Sequence, residues 1–494
     1  MDPRDSPRGP FSENSDNGPR GLSRGSKIET VMEINISDKG ASIKGTPSEN
    51  QRAIQEAIDE VEKAGGGTVT VPQGTFISGT IFLKDNVRLH LSHGAVLMSS
   101  LDEKDISSFP REDDTDLSEV DGAEGGFFIG AVHAKNIRID GSGTIDGQGE
   151  KVFFDEDLDR GFHECPKQTA GFRPRLLLFE DVEKLSVSDI TLKDSAFWTF
   201  HMAGCQDVDI SDITIKNDDR GVNNDGIDPD CCRNVIIRGC NIWTADDAIV
   251  IKSTAPMAKK YGSCENITVS DCILHTRCSA LKIGTETFGT IRNITFGNCI
   301  VRDASRAVGI WMRDGGLIEK IMVHDITGQV RRYADCYDLP GQPGWWGKGE
   351  PIFVSATPRQ FKTGSDSKWE LKDASPEKRL EIPVEEERPT GTIRRLSFSN
   401  IRIDCESCVF LAGEIESPIS DVVMRNIEIH FEKQGTQAGG LFDEQPSFRG
   451  RYPHLIPGVY TRHVQGLDVD GVFVVAEEDN GTEYCGKEIV QEED

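Results

Sequence analysis

The chain has 494 residues, with 83 acidic against 55 basic and a net charge of −28, a balance that repels phosphate backbones and argues against a nucleic-acid partner. Only 36 % of the residues are hydrophobic and 50 are glycine, which suits many strands and turns better than a large helical core. No run approaches the roughly 18 apolar residues of a membrane span, so no membrane partner is expected.

Residues 1–27 are rich in Pro, Gly, Ser, Asp and Arg and are expected to form a disordered tail. The same stretch has no apolar segment of the kind a secretory leader carries, so the default expectation is cytoplasmic, with secretion by another route left open. At about 50–64, Ala53, Ile54, Ala57, Ile58 and Val61 keep helical spacing and Gly65-Gly66-Gly67 ends the run. Short alternating strands follow at Thr68–Val71, Gly79–Leu83 and Asn86–Leu91. A lone amphipathic helix before a long run of strands suits a lid over the open end of a strand stack.

From residue 136 one pattern returns. NIRIDGSGTI starts at Asn136, KLSVSDITL at Lys184, DVDISDITI at Asp207, NVIIRGCNI at Asn234, NITVSDCIL at Asn266, NITFGNCIV at Asn293 and KIMVHDITG at Lys320; further copies start at Arg395, Asp421 and Gly466. Each copy is two short strands around a polar bend, too small to bury its own apolar face, so the copies must stack. Period-two strands without crossover helices fit an all-β parallel β-helix, a solenoid with coils about 4.8 Å apart. Alignment puts Ile190, Ile213, Cys240, Cys272, Cys299 and Ile326 at one inward position, which reads the cysteines as stacked free thiols. Asn234, Asn266 and Asn293 align at one bend and read as an amide ladder. The thirteen cysteines lack the spacing of a disulfide framework, and Cys405-x-x-Cys408 has no second pair to complete a zinc site, so neither metal nor other cofactor is expected. Residues 331–390 break the pattern and read as a loop excursion carrying Tyr337, Trp345 and Trp346, a binding loop or an edge cover. Residues 28–475 thus form a single domain, and 476–494 an acidic tail.

The chemistry concentrates between Asn217 and Ser253. Asn223-Asn224-Asp225 and Asp246-Asp247 are separated by about one repeat, so stacking brings their carboxylates side by side. Grouped carboxylates are what glycoside hydrolysis needs, one protonated to serve the leaving oxygen and others ionised to activate water. Singly, each acid also fits a turn. Adjacent Asp246 and Asp247 would face opposite ways on a regular strand, so both reach a cleft only from a strand end or a bend.

NNDGID at 223–228 followed by ADDAIVIKS at 245–253 resembles the Asn-x-Asp and Asp-Asp signatures of the polygalacturonases, glycoside hydrolase family 28. AIQEAIDEVEKAGGGTVTVPQGTF, GSGTIDGQG at 141–149, RPRLLLFEDV and DSAFWTFH extend the resemblance. It implies a right-handed parallel β-helix with its N-terminal helix as a cap, and hydrolysis of pectic, galacturonic-acid-containing chains or oligomers with inversion. Asp246 would be the general acid; Asp225 and Asp247 would hold and deprotonate the water. Asn223 of the first signature, His201, Lys252, Lys282, Arg313 and Trp311 are the expected substrate contacts, with Glu286 and Trp198 beside the same wall. The chain departs from the family where Ser279 stands at the position of a histidine, and where Trp311-Met312-Arg313 matches Arg-Ile-Lys, leaving Arg313 the one cation there. Arg313 with Lys282 suits an acidic sugar; Trp311 equally suits a neutral one. A polysaccharide lyase and a glycan-binding β-helix without catalysis are the other readings of the scaffold, and nothing in the sequence identifies a protein partner.

Overall fold

Alternating apolar and polar residues build the faces of each coil, and left-handed residues at the corners turn the chain from one face to the next. The computed structural model describes residues 32–109, 126–154, 166–333, 347–362, 384–435, 442–443 and 453–492. Among them, twelve parallel strands form one long face, and a second, twenty-strand sheet bends into two further rows. Early coils carry those rows as separate strands, such as Glu183–Ser188 and Thr191–Lys193; later coils run both as single strands, such as Thr290–Ala304. Together these rows form a right-handed parallel β-helix. Leu185, Val208, Val235, Ile267, Ile294 and Ile321 sit in register in successive coils and are buried, forming one of the rows that fill the interior.

The helix α1, Pro47–Lys63, begins earlier than its apolar spacing indicates because Thr46 caps it, with Glu49 closing a reciprocal capping box and Pro47 taking the first helical position. Its buried face carries Ala53, Ile54, Ala57, Ile58 and Val61 as expected. On the adjoining side, Gln55 bonds both the N–H and the carbonyl of Phe82 at 3.0 Å, Gln51 donates to Thr80 O at 2.9 Å and Asn50 to Ile77 O at 2.9 Å. Side-chain amides thus occupy backbone groups of Ile77–Phe82 that a preceding coil would otherwise bond. Of a lid, these contacts are the part the structure holds, since the strand Met32–Asn35 continues the second sheet past Gly67–Val71.

The asparagine ladder is present: Asn266 donates to Asn234 at 3.1 Å and Asn293 to Asn266 at 2.9 Å, with all three residues in left-handed conformation. Cys240, Cys272 and Cys299 are free and buried. Two expectations are corrected. Glu350–Ser355, inside the supposed excursion, is a strand of the twelve-strand face paired with Arg306–Trp311; all six of its residues are buried, so it has no polar alternation to reveal it. Ile489–Glu492, inside the supposed tail, pairs with Val459–Arg462 and adds a strand to the same face. Tyr337, Trp345, Trp346 and residues 1–27 lie outside the described residues. Among the described residues, no helix is long and apolar enough to cross a membrane.

Candidate active site

Six consecutive strands of the twelve-strand face frame the acids: β1 Phe200–Ala203, β2 Ile227–Asp230, β3 Ile249–Ser253, β4 Ser279–Thr287, β5 Arg306–Trp311 and β6 Glu350–Ser355, each parallel to the next. The bends entering β1 to β4 are laced together. Thr199 N–H donates to Asp225 O at 2.9 Å, Gly226 N–H to Asp247 O at 2.9 Å and Ala248 N–H to Ser279 O at 3.0 Å. Asp225 and Asp247 therefore stand on neighbouring coils, about 4.8 Å apart along the axis. The bend also resolves the facing of the adjacent acids, since neither Asp246 nor Asp247 lies within β3.

Asn224 clamps this bend. Fully buried, it accepts the N–H groups of Ala245 and Asp246 at 2.9 and 3.2 Å and donates to Asp218 O at 2.6 Å. Asp246 is partly exposed, whereas Asp225 and Asp247 are buried. Asp246 accepts the N–H of Asp247 at 2.9 Å, and Asp247 accepts the N–H of Ser279 at 3.2 Å and an ammonium proton from Lys282.

Lys252 sits among the remaining acids, with Nζ 3.3 Å from Glu286, 3.6 Å from Asp225 and 3.8 Å from Asp228, and 4.4 Å from the centre of the Trp198 ring. Five carboxyl groups thus share two lysines, so they cannot all ionise cheaply. Burial, then the charges of Asp246 and Asp228, pushes Asp225 well above the carboxylate range. Burial and the neighbouring acids also take Asp228 up to about 8, and burial with the adjacent Asp247 takes Asp246 to about 6. Burial acts on Glu286 in the same direction, but Lys252, Arg359 and Lys282 together hold it below its ordinary value. Asp225 Oδ1, both oxygens of Asp228 and the hydroxyl of Ser279 are buried without a protein hydrogen-bond partner.

The other expected contacts divide. Lys282 and Glu286 join the cluster. Asn223 lies in left-handed conformation at its rim and accepts from Arg173 at 3.4 Å. His201 pairs in register with Asp228, not with the coil of Asp247; it is fully buried, edge-on to Trp198 with ring centres 4.8 Å apart, and its Nε2 is 3.7 Å from Asp230. Burial lowers it to about 4, which keeps the imidazole neutral. Trp198 is core, fully buried. Trp311 is also buried, its indole folded over Gly309: a Cβ there would meet the ring at 2.4 Å and Ser279 Oγ at 3.1 Å. The indole therefore fills the space beside Ser279. Arg313 is buried and donates to Thr357 O at 2.9 Å; Asp314 pairs instead with Arg359 at 2.9 Å, and Arg359 reaches Glu286 at 3.8 Å. Sequence placed Asn224 in the first acidic node without giving it a role, and did not single out Asp228 or Arg359. Asp228 was within reach, as the next acid in NNDGID, whereas Arg359 lay hidden in the supposed excursion.

Asp246, Asp247 and Cys278 hold potential metal-ligand atoms within 4.8 Å of one another. That set fits a cation poorly, because Lys282 already pairs with Asp247, and burial and both carboxylates push the Cys278 thiol up.

Residues 69–327 match the family described as Glycosyl hydrolases family 28. A probable polygalacturonase of Vitis vinifera is 32 % identical over 213 residues, 41 % of each chain, and an endo-polygalacturonase of Pectobacterium parmentieri is 26 % identical over 46 % of this chain and 57 % of its own. The chain thus spans about half the length of these curated relatives. In fold it is similar to a hyperthermoactive exopolygalacturonase from Thermotoga maritima, with TM-score 0.61 and 20 % identity over 90 % of this chain and 92 % of the other. It is equally similar to a family 28 exopolygalacturonase of Yersinia enterocolitica, with TM-score 0.61 and 16 % identity over 92 % of this chain and 79 % of the other. With the family match covering more than half of its length and the acid cluster assembled inside the matched residues, this chain belongs to glycosyl hydrolases family 28.

Proposed function

We propose that the protein hydrolyses glycosidic bonds in galacturonic-acid-containing oligosaccharides with inversion, working from a chain end. The observation that carries the reading is the acid cluster itself: Asp246, partly exposed and raised to about 6, lies beside Asp247, which is anchored by Lys282 and the Ser279 N–H, and one coil from Asp225. Asp246 gives its proton to the leaving oxygen. Asp247 and Asp225 hold the water that attacks from the opposite face, and Asp247, paired with Lys282, takes its proton, so the anomeric configuration inverts. Lys282 and the rim guanidinium of Arg359 supply cations for a substrate carboxylate, a role that Arg313, spent on Thr357 O, is poorly placed to fill.

Attack at a chain end is supported by what flanks the acids. Leu178, Phe197, Trp198 and Met257 form one buried cluster on the N-terminal side. On the other side Phe353, Phe410 and Tyr460 follow Lys282 and Gly309 along one register row, buried and stacked with ring centres 5.0 and 5.4 Å apart. An outer face sealed on both sides favours a pocket over a through-running groove.

The test is to incubate the protein with galacturonate oligomers and matched neutral oligosaccharides and to identify products by mass and by NMR of the first-formed anomer. Galacturonate released from one end with inverted configuration is expected. Cleavage of neutral chains alone, an unsaturated product, or retention would each overturn the proposal, and dominant mid-chain cleavage would overturn its chain-end part.

A further inference from the structure

A second group of sugar-compatible side chains lies around the corner from the acids, on the outer face of the second sheet. Trp243, three residues before Asp246, packs against His275 of the next coil with ring centres 4.0 Å apart and planes tilted by 36°, and the exposed Arg302 places its guanidinium 4.8 Å from the Trp243 ring centre. Arg302 also lines a groove of about 340 Å³ that continues along this face past Gln329 and Arg402 to His430. Beside it Ile273 and Ile300 are exposed, 41 % and 46 %, in the register row that passes through Thr327 to Arg402.

The charges on this face are uneven. Asp303 pairs with Arg331 at 3.2 Å, Asp404 with His430 at 3.2 Å and Glu428 with Arg402 at 3.1 Å. No carboxylate among the described residues lies within ion-pair distance of Arg302. On a chain of net charge −28, an unneutralised guanidinium resting on an indole is a local departure in sign. Such a group offers donors in a fixed plane to a carboxylate, while the neighbouring ring and isoleucines offer apolar surface to the C–H faces of a sugar. The Arg402–Glu428 pair is exposed and worth little, so a substrate carboxylate can displace Glu428. Nucleic acid, the other polyanion with planar groups, is disfavoured by the charge of the whole chain.

We propose that this face, from Trp243 through Arg302 to Arg402, is a second glycan-binding site outside the active site, and that its ligand is a uronate-bearing chain. The proposal rests on the uronate reading of the active site and extends it. A polymer held along this face has its free end kept near the turn that carries Asp246, which raises the local concentration of chain ends at the pocket. Short oligomers cannot occupy both sites and gain nothing.

Two measurements test it. In the full chain carrying Asp246→Asn, calorimetric titration with long galacturonate oligomers should give binding that Arg302→Ala together with Arg402→Ala weakens at least about tenfold, the loss of two charge-assisted contacts, one of them offset by the pair with Glu428, and that Arg302→Lys weakens less. In the otherwise native chain, the double alanine variant should raise KM on polygalacturonate about tenfold and leave kcat/KM on digalacturonate unchanged. Equal effects on polymer and dimer, or none on either, would overturn the site, as would equal binding of polyglutamate, which would make the face a peptide-binding surface. If the native chain cleaves only neutral glycans, the uronate reading of the pocket fails separately. The titration then decides this face alone: arginine-dependent binding of galacturonate supports it and its absence overturns it.

Discussion

Two rows of side chains climb the same solenoid under opposite rules. Along one, Asn234, Asn266 and Asn293 repeat the same residue at the same bend, and the amides of Asn266 and Asn293 each donate to the coil before. Along the other, His201, Asp228, Val250, Lys282, Gly309 and Phe353 change chemistry at every coil, and His201 and Asp228 have no protein hydrogen-bond partner for any of their polar side-chain atoms. Stacking rewards repetition, because identical groups on neighbouring coils satisfy one another. A row that refuses to repeat forgoes that stabilisation and leaves buried polar atoms unpaired, at a cost of about 1 to 3 kcal/mol for each such group. The first row is therefore architecture and the second a site, and substitutions in each should behave accordingly.

The largest effect is expected at Asp246. Asp246→Asn keeps the acceptor for the Asp247 N–H and removes the proton donor, so turnover should fall by about 10² to 10⁴, measured as reducing-end release. The same change should stabilise the fold at neutral pH. The folded protein raises the pKa of Asp246 to about 6, so it disfavours the ionised carboxylate. That penalty is absent below about pH 4, where the group is protonated folded and unfolded, grows as pH rises through 6 and is complete above it. The variant carries none of it. Its Tm should exceed that of the native chain at pH 7, and the difference should vanish towards pH 4.

Next comes Lys252, which lies against Asp225, Asp228 and Glu286 at 3.3 to 3.8 Å. Lys252→Met strips three buried carboxyl groups of their common cation, and urea unfolding at pH 7 should show a loss of about 3 to 5 kcal/mol. Because Asp225 and Asp228 are already held protonated at pH 7, acidification to pH 5 should recover stability only as far as it protonates Glu286, which has lost its nearest cation. A loss of the same size at both values would mean that Lys252 acts through packing on Trp198. Asn224→Ala removes the acceptor for two N–H groups of the Asp246 bend. It should cost about 1 to 3 kcal/mol and lower kcat with little change in KM, because the acid is displaced while the cations that bind substrate stay in place.

How much of this was legible follows the same division. The repeating row was readable because Asn234, Asn266 and Asn293 recur within copies of one pattern, and the inward Cys240, Cys272 and Cys299 recur with them. Asp225, Asp246 and Asp247 were readable as a motif, and their stacking followed from the period. The strand Glu350–Ser355 was not, because a strand buried on both sides loses the alternation by which strands are recognised. With it went Arg359, which pairs with Asp314 at 2.9 Å. His201 lies where its place in the sequence put it, one coil from Asp225 and in register with Asp228, but its complete burial against Trp198 rests on packing that spacing does not carry. The indole of Trp311 folding over Gly309 depends on a side-chain direction that spacing does not carry.

The smallest effect belongs to the repeating row. Asn266 holds a left-handed backbone, φ 61°, where its amide joins Asn234 and Asn293. An alanine there has a Cβ that crowds the following carbonyl, at about 1 to 2 kcal/mol, whereas glycine pays no such strain. Both changes remove the same two exposed side-chain bonds, so the difference between Asn266→Ala and Asn266→Gly isolates what a Cβ does to the backbone there. We expect the alanine variant to lose about 1 to 2 kcal/mol in urea unfolding and the glycine variant less than about 1, with turnover of both at the native level. If Asn266→Gly instead lost as much as Asn266→Ala, a Cβ at this corner would carry no strain; a loss well above about 1 kcal/mol in both would mean that the amide ladder holds the coils together more strongly than exposed hydrogen bonds ordinarily do. If either variant lowered turnover without lowering stability, the separation between the repeating row and the site would fail, since a corner of one face would then be setting the geometry of another.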